Sequence, residues 1–152
     1  DWIVGCMMLI NLKKFKTKKI FDENFFLYFE EIDLCRGIGL IKGNIFRAED
    51  LLIEHLGNKS SIGSSLKTKI DSEKLREWHW MWSTFYYYKK NYGYFFALKK
   101  TSGKMIKAIF KIIFYTLLIN QNMKNKYLCR FLGLFNSMTG KKSWYRVDNK
   151  YQ

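Results

Sequence analysis

The sequence predicts a mixed α/β fold, with strands in the first part of the chain and helices in the second. An apolar run over residues 2–10, followed by a basic turn, is typical of a buried strand. The segments 44–47 and 51–56 are short and apolar, which suits two further strands. From about residue 66 onward, apolar residues recur at helical spacing, so the chain is expected to continue as helices.

Three further elements complete the first part of the chain, residues 1–65. Residues 13–20 carry five lysines and are expected to form an exposed segment. Residues 29–38 suit one or two helical turns that stop near Gly37 or Gly39. The sequence GNKSSIGSS over 57–65 is typical of a loop and separates this part from the next.

The second part of the chain, residues 66–152, is expected to be an aromatic-rich helical extension. Within 73–98, Trp78, Trp82 and Phe85 recur at helical spacing. Core packing is the first interpretation of this aromatic cluster. Such rings also stack on sugars or lie at a membrane interface. Stacking on nucleic-acid bases is the remaining interpretation, although no RNP-like motif accompanies it.

The segment 104–120 is expected to form a helix with two unlike sides. A helix of this kind can attach to a membrane surface, and it can equally pack against its own domain. A further helix is expected over 123–138. One side of the 104–120 helix carries Lys104, Lys107 and Lys111. The other side carries Ile106, Ile109, Ile113 and Leu117.

The charge balance indicates an anionic partner. The chain has 27 Lys and Arg against 13 Asp and Glu, a net charge of +14. Nucleic acid, phosphate-bearing substrates and an anionic membrane surface are the candidate classes.

The cysteines and the hydropathy argue against a zinc protein, a disulfide-rich protein and a membrane-spanning protein. Cys6, Cys35 and Cys129 lie far apart, which argues against zinc or a disulfide framework and fits a reducing cytosol. No apolar run approaches the roughly 20 residues of a membrane span.

The chain begins at Asp1 and enters an apolar run without a basic leader, so we expect a fragment of a longer protein rather than a signal peptide.

The stretch FDENFFLYFEEIDLCR, residues 21–36, gathers five of the 13 acidic residues among aromatic ones. On a helix, Glu30 and Asp33 lie near one face, whereas Glu31 points elsewhere. One interpretation is a solvated helix N-terminus, which the helix dipole favours. The other is a general base, because a carboxylate among aromatic rings can have a raised pKa and accept a proton from a hydroxyl.

Histidines and loop donors supply the remaining candidate site residues. His55 could bind a metal or a phosphate, or it could be structural. Lys59 and Ser60 could donate to phosphate oxygens, although the glycine spacing matches no phosphate-loop motif. His79, within Trp-His-Trp, is expected to pack in the interior.

Several segments, taken in order, resemble the C-terminal half of family 2 glycosyltransferases, especially bacterial rhamnosyltransferase-like members. The resemblance covers most of the chain, and the two acidic segments carry its specificity. The similar segments are GCMMLI at 5–10, FDENFF at 21–26, FEEIDL at 29–34, IEHLG at 53–57 with Ser60, and the tail at 78–88 and 140–146.

This resemblance implies a nucleotide-diphospho-sugar transferase (GT-A) fold and inversion at the anomeric carbon. The base would be Glu31, where many members carry Asp. By the same resemblance, Glu30, Asp33 and Trp2 belong to the acceptor site. His55 would lie near the metal or diphosphate.

The resemblance also implies partners and a cofactor. The donor would be a nucleotide-diphospho-sugar, and the acceptor a glycan or a lipid-linked acceptor of a cell-envelope polysaccharide. A divalent metal, Mg or Mn, would neutralise the leaving diphosphate. The family's D-x-D metal motif is missing from all 152 residues, so we expect no transfer without an N-terminal half. The expected location is the cytoplasm or the inner face of the membrane, with peripheral membrane contact and no nucleic acid.

A competing interpretation is a binding module without chemistry. A basic, aromatic-rich chain could hold nucleic acid or an anionic membrane surface. Steep salt dependence of RNA binding would favour that class.

Overall fold

The computed structural model describes residues 3, 5, 7–16, 19–54 and 66–146, and within these ranges the protein is helical. A short 3-10 helix comes first, and four α-helices follow. Their bounds are Leu12–Lys14 for the 3-10 helix, Glu30–Leu40 for α1, Leu66–Tyr92 for α2, Tyr94–Leu117 for α3 and Gln121–Met138 for α4.

The predicted α/β architecture with a GT-A fold is wrong, because no strand occurs anywhere in the described ranges. The described residues of 2–10, of 44–47 and of 51–56 have no regular secondary structure beyond turns. Phe46 is 82% exposed and Leu52 is 96% exposed. A strand is stable only when its backbone pairs with a neighbour and one face is buried. The described residues of these runs pair with no neighbouring strand, so apolar composition alone was not enough to predict strands here.

The predicted helices are present, but some of their bounds are wrong: α1 runs through Gly37 and Gly39 to Leu40, and α3 begins at Tyr94 and ends at Leu117. The turns expected over 29–38 are α1, and the aromatic segment 73–98 is shared by α2 and the start of α3. The helix expected over 104–120 is the second half of α3. The helix expected over 123–138 is α4, which begins two residues earlier because Asn120 caps it: the Asn120 side chain accepts a hydrogen bond from the Met123 N–H at 3.1 Å.

Helices α2, α3 and α4 pack on one another around two clusters of buried side chains. Trp78, Trp82 and Phe85, which share one side of α2, are nearly inaccessible to solvent, as their helical spacing predicts. The first cluster contains Met81, Phe85, Ala97 and Leu134, and the second contains Trp78, Trp82 and Cys129.

Two glycines make this packing possible. Gly93, at φ 91°, sits between the end of α2 and the start of α3, where a residue with a side chain would be strained. Gly133 brings α4 close to α2, because a methyl group at this position would overlap the backbone oxygen of Trp78. The tight α2–α4 contact therefore depends on a residue without a side chain.

Two non-helical segments lie against α2 and position the candidate site. Residues 21–29 approach it near Ser83, whose hydroxyl donates to the backbone oxygen of Leu27 at 2.9 Å. Residues 141–146 return from α4, and the indole N–H of Trp82 donates to the backbone oxygen of Lys141 at 2.9 Å. These contacts hold the acidic segment and the end of the described chain on the same helix.

Candidate functional site

The first turn of α1 is anchored to α2 by aromatic side chains. The Phe29 ring lies 5.4 Å from the Trp80 ring and 5.3 Å from the Tyr87 ring. Tyr28 meets Trp80 edge-on at 5.2 Å. Aromatic pairs at these distances are favourable beyond the area they bury. They fix the position of the carboxylates that follow Phe29.

The backbone that leads into α1 has an uncommon conformation. Tyr28 and Phe29 have φ values of 67° and 72°, in the left-handed region that bulky residues rarely adopt. No side chain caps the helix at Phe29. Left-handed residues of this kind cost free energy and often occur next to functional groups. Here they immediately precede Glu30 and Glu31.

Glu30 and Glu31 are partly buried, and one carboxylate oxygen of each is enclosed. The Oε2 atoms of both have no hydrogen-bond partner among the described residues. Burial raises the pKa of the Glu30 carboxyl; its own backbone N–H opposes this shift, and the charge of Glu31 adds to it. Gly5 packs against Glu31, since a methyl group on Gly5 would lie 3.4 Å from Cβ of Glu31. The solvated helix N-terminus considered above does not describe this pair.

Asp33 and Asp22 occupy a different environment, in which both carboxylates share one cation. Nζ of Lys90 lies 2.6 Å from Oδ2 of Asp33 and 2.8 Å from Oδ2 of Asp22. Tyr86 donates its hydroxyl to Asp22, and Asn24 donates both its backbone and its side-chain N–H to the same carboxylate. Although partial burial opposes ionisation, the hydrogen bonds from Lys90, Asn24 and Tyr86 lower the pKa of Asp22 to about 2.

Asp33 is further fixed by a chain of polar contacts along α2. Asn91 donates its side-chain amide to Oδ1 of Asp33 at 3.0 Å and accepts from Nε of Arg36 at 2.9 Å. Arg36 also donates to the Tyr92 hydroxyl and lies over the Tyr92 ring. A carboxylate held by Lys90 and Asn91 is suited to a supporting role rather than to accepting a proton.

The remaining predicted site residues, Trp2, His55, Lys59 and Ser60, lie outside the described residues. Among those that are described, no three His, Cys, Asp or Glu side chains come together in a way that could hold a metal ion.

A groove of about 570 Å³ opens between residues 19–26 and residues 142–146. We call it the 26/146 groove. Neither Glu30 nor Glu31 lines it. Its walls combine aromatic, cationic and acidic side chains, chiefly Phe21, Asp22, Phe26, Lys142, Ser143 and Arg146.

Arg146 is one of the residues that line the 26/146 groove. Its guanidinium carbon lies 3.4 Å from the centre of the Phe26 ring, and Nη1 donates to the backbone oxygens of Ser143 and Tyr145. Spacing along the sequence could not reveal this groove.

His79 holds the far wall of the groove in place. It is fully buried, and Nε2 lies 2.8 Å from the backbone oxygen of Tyr145 while Nδ1 lies 3.1 Å from the Ser143 hydroxyl. Because a carbonyl oxygen only accepts, Nε2 carries the proton and Nδ1 accepts from Ser143. Burial lowers the pKa of His79 to about 4, despite the hydrogen bond to Tyr145, so the ring is neutral at pH 7. The expectation that His79 packs in the interior is confirmed.

Within the part of the chain that is described, no helix combines the length and the apolar composition needed to traverse a bilayer. Comparison of this chain with protein-family models, with curated proteins and with solved structures finds no match.

Proposed function

We propose that this chain contributes the acceptor side of an inverting sugar transfer, with Glu31 as the general base. The carrying observation is that Glu30 and Glu31 each bury a carboxylate oxygen that has no partner among the described residues. Buried polar groups are nearly always hydrogen-bonded, so a pair of carboxylates without partners among the described residues is the best candidate here to receive an acceptor hydroxyl. Asp22 and Asp33, by contrast, are already occupied by Lys90.

In the proposed reaction, an acceptor hydroxyl gives its proton to Glu31. The oxygen then attacks the anomeric carbon of a nucleotide-diphospho-sugar, the bond to the diphosphate breaks, and the configuration is inverted. Glu30 and Asp33 contribute to the acceptor site, Glu30 through its partly buried carboxyl and Asp33 through its fixed position on Lys90. The acceptor is a glycan or a lipid-linked glycan.

The donor and its metal belong to residues other than those described. The described residues do not fit a Mg or Mn site, because no group of three metal ligands occurs among them. The sequence also lacks a D-x-D motif. We therefore give none of the described residues a metal-binding role in the reaction. Donor binding is assigned to a segment outside this sequence. A reducing, cytoplasmic location fits the buried free thiols of Cys35 and Cys129.

The test is a Glu31→Gln substitution in the full-length protein that contains this segment. Release of nucleoside diphosphate from nucleotide sugars is measured in the presence of acceptor. Loss of a general base is expected to lower kcat by about 10²–10⁴-fold. Glu23→Gln is the matched control, because Glu23 is an exposed carboxylate paired only with Lys19 among the described residues.

Retention of the wild-type rate by a folded Glu31→Gln protein would overturn the assignment of the base. Separately, the 152-residue chain is expected to show no turnover by itself. A measured turnover from this chain would contradict the assignment of donor binding to another segment.

The second candidate function is a non-catalytic module that binds an anionic partner. The observation that favours it is the distribution of charge: between Trp78 and Arg146 every charged side chain is Lys or Arg. Binding to RNA that weakens steeply with salt, together with intact binding in Glu31→Gln, would favour this class over the enzyme.

A further inference from the structure

The fully buried residues of helix α3 are all small, whereas most of its large apolar residues are exposed. The buried positions along the helix are Ala97, Thr101 and Ala108. A helix at the surface of a protein normally does the reverse, with its large apolar side chains in the core. Leu98 and Met105 are partly buried against the first cluster, but the packing of α3 on α2 and α4 leaves most of its large apolar side chains exposed.

We call the exposed apolar side of α3 the α3 outer face. Its six residues follow one another at intervals of three and one, which keeps them on one side of a helix. Their exposed fractions range from 41% at Ile109 to 78% at Leu117. The six are Ile106, Ile109, Phe110, Ile113, Phe114 and Leu117.

Lysines flank this face, and no acidic residue does. Helix α3 contains no Asp or Glu, and its lysines take part in no salt bridge within the described part of the chain. Lys104, Lys107 and Lys111 recur along one side of the α3 outer face. Nζ of Lys111 lies 5.1 Å from the centre of the Phe114 ring, so a cation lies directly beside the apolar surface. The occupant of this face must accept apolar side chains and positive charge together.

Two other occupants fit these properties poorly. A second copy of this chain would bring the same lysines against each other, which costs free energy unless acidic residues separate them. Nucleic acid would satisfy the lysines and could stack on Phe110 and Phe114, but the other four residues of the face are Ile or Leu, which do not stack on bases. Helix α3 also lacks the combination of length and apolar composition that is needed to cross a bilayer.

We propose that α3 docks on the surface of a membrane that contains anionic lipids. The axis of the helix lies in the plane of the bilayer, with the α3 outer face inserted at the boundary between headgroups and acyl chains. The lysines along its side contact lipid phosphates, as in other basic amphipathic helices that lie on membranes. This inference does not depend on the proposed sugar transfer, because it concerns a different surface and uses no carboxylate of α1.

The experiment measures co-sedimentation of the 152-residue chain with vesicles of phosphatidylcholine alone and with vesicles that also contain 30% phosphatidylglycerol, roughly the content used for anionic membranes. We expect binding to the anionic vesicles and at least about tenfold weaker binding to the neutral ones. The Phe110→Ser/Ile113→Ser double variant should lose about tenfold or more in affinity for the anionic vesicles.

The matched control for apolar surface is Leu40→Ser, at an exposed residue at the end of α1. It is expected to bind like the wild type. Lys104→Gln and Lys107→Gln should each weaken binding about fivefold, whereas Lys13→Gln, in the 3-10 helix, should not. Circular dichroism checks that every variant keeps its helical signal. The substituted side chains on α3 are largely exposed, so folding is expected to survive.

Three results would overturn the proposal. One is equal binding to neutral and anionic vesicles, or none to either. The second is wild-type binding by the folded Phe110→Ser/Ile113→Ser variant, which would assign any attraction to charge alone. The third is a concentration-dependent dimer in sedimentation velocity that the same variant abolishes, since the face would then belong to a second copy.

Discussion

Nζ of Lys90 lies 2.6 Å from Oδ2 of Asp33, and this ion pair joins the end of α2 to the first turn of α1. The same ammonium group reaches Asp22, so one cation holds two carboxylates from segments that are separate in the sequence. The hydrogen bonds of Asp22 and Asp33 raise the pKa of Lys90, although partial burial acts in the opposite direction. The position of the candidate base in the fold therefore depends on a lysine that takes no part in the proposed chemistry.

Replacing Lys90 should destabilise the protein more than replacing an ordinary surface lysine. Lys90→Gln leaves two partly buried carboxylates close to each other without their shared cation. We expect a loss of about 1–3 kcal/mol in the free energy of unfolding, because breaking a shared ion pair leaves uncompensated charge. Urea denaturation measures the change. Lys99→Gln, at an exposed position on α3, is the control and should change stability by less than about 0.5 kcal/mol.

Gly133 should tolerate no larger residue. The methyl group of Gly133→Ala overlaps the backbone oxygen of Trp78 and forces α4 away from α2. We expect a loss of about 2–3 kcal/mol, even though alanine favours a helix by about 1 kcal/mol. Gly103→Ala is the matched control, since a methyl group there meets nothing within 4 Å, and it should stabilise the protein by about 0.5–1 kcal/mol. Similar effects of the two substitutions in thermal unfolding would contradict the close α2–α4 contact.

Local patterns in the sequence predicted the helices but not the arrangement of the site. The spacing of Trp78, Trp82 and Phe85 identified the buried face of α2, because a helix repeats its contacts every three or four residues. The prediction of strands was wrong, because a strand must pair with a second strand and apolar composition does not indicate whether such a partner exists. Partners distant in sequence were also invisible: Asp33 and Lys90 are separated by 57 positions. The same applies to the 26/146 groove, whose walls come from opposite ends of the described chain.

Glu30→Gln should make the protein more stable at neutral pH. Burial raises the pKa of Glu30, so the ionised carboxylate is disfavoured in the folded state. A raised carboxyl pKa means that the folded state binds the proton more tightly, and stability falls as pH rises through the folded pKa. Glutamine carries no charge at any pH. Because the carboxyl is partly exposed to water, we expect only a small gain, below about 0.5 kcal/mol at pH 7, and this gain disappears toward pH 4.

The measurement for Glu30→Gln is urea denaturation at pH 7 and pH 4, with Glu23→Gln as the exposed control. A gain in stability at the cost of activity is the usual behaviour of a functional carboxylate held in an unfavourable environment. A loss of stability at pH 7 would indicate that Glu30 is paired in the folded protein. It would also remove the support that this residue gives to the proposed acceptor site.

The buried ring of His79 should make the protein sensitive to mild acid. Its pKa is about 4 in the folded protein, below the 6.5 of an ordinary histidine, because the ring is buried. Between pH 6.5 and pH 4 the His79 ring is therefore protonated in the unfolded chain but neutral in the folded one. The free energy of unfolding falls as pH falls through this interval. The expected loss is roughly 2–3 kcal/mol, measured by urea denaturation across this interval.

The His79→Gln variant separates this effect from the titration of carboxylates. It is less stable than the wild type at pH 7, since two hydrogen bonds to residues 143–145 are changed, but its stability varies much less between pH 6.5 and 4. Ser143→Ala keeps the buried imidazole and should retain the acid sensitivity. If both variants titrate like the wild type, the acid sensitivity arises elsewhere. If the free energy of unfolding is independent of pH between 6.5 and 4 only in His79→Gln, the acid sensitivity of the wild type arises from the His79 ring, which holds residues 143–145 against α2.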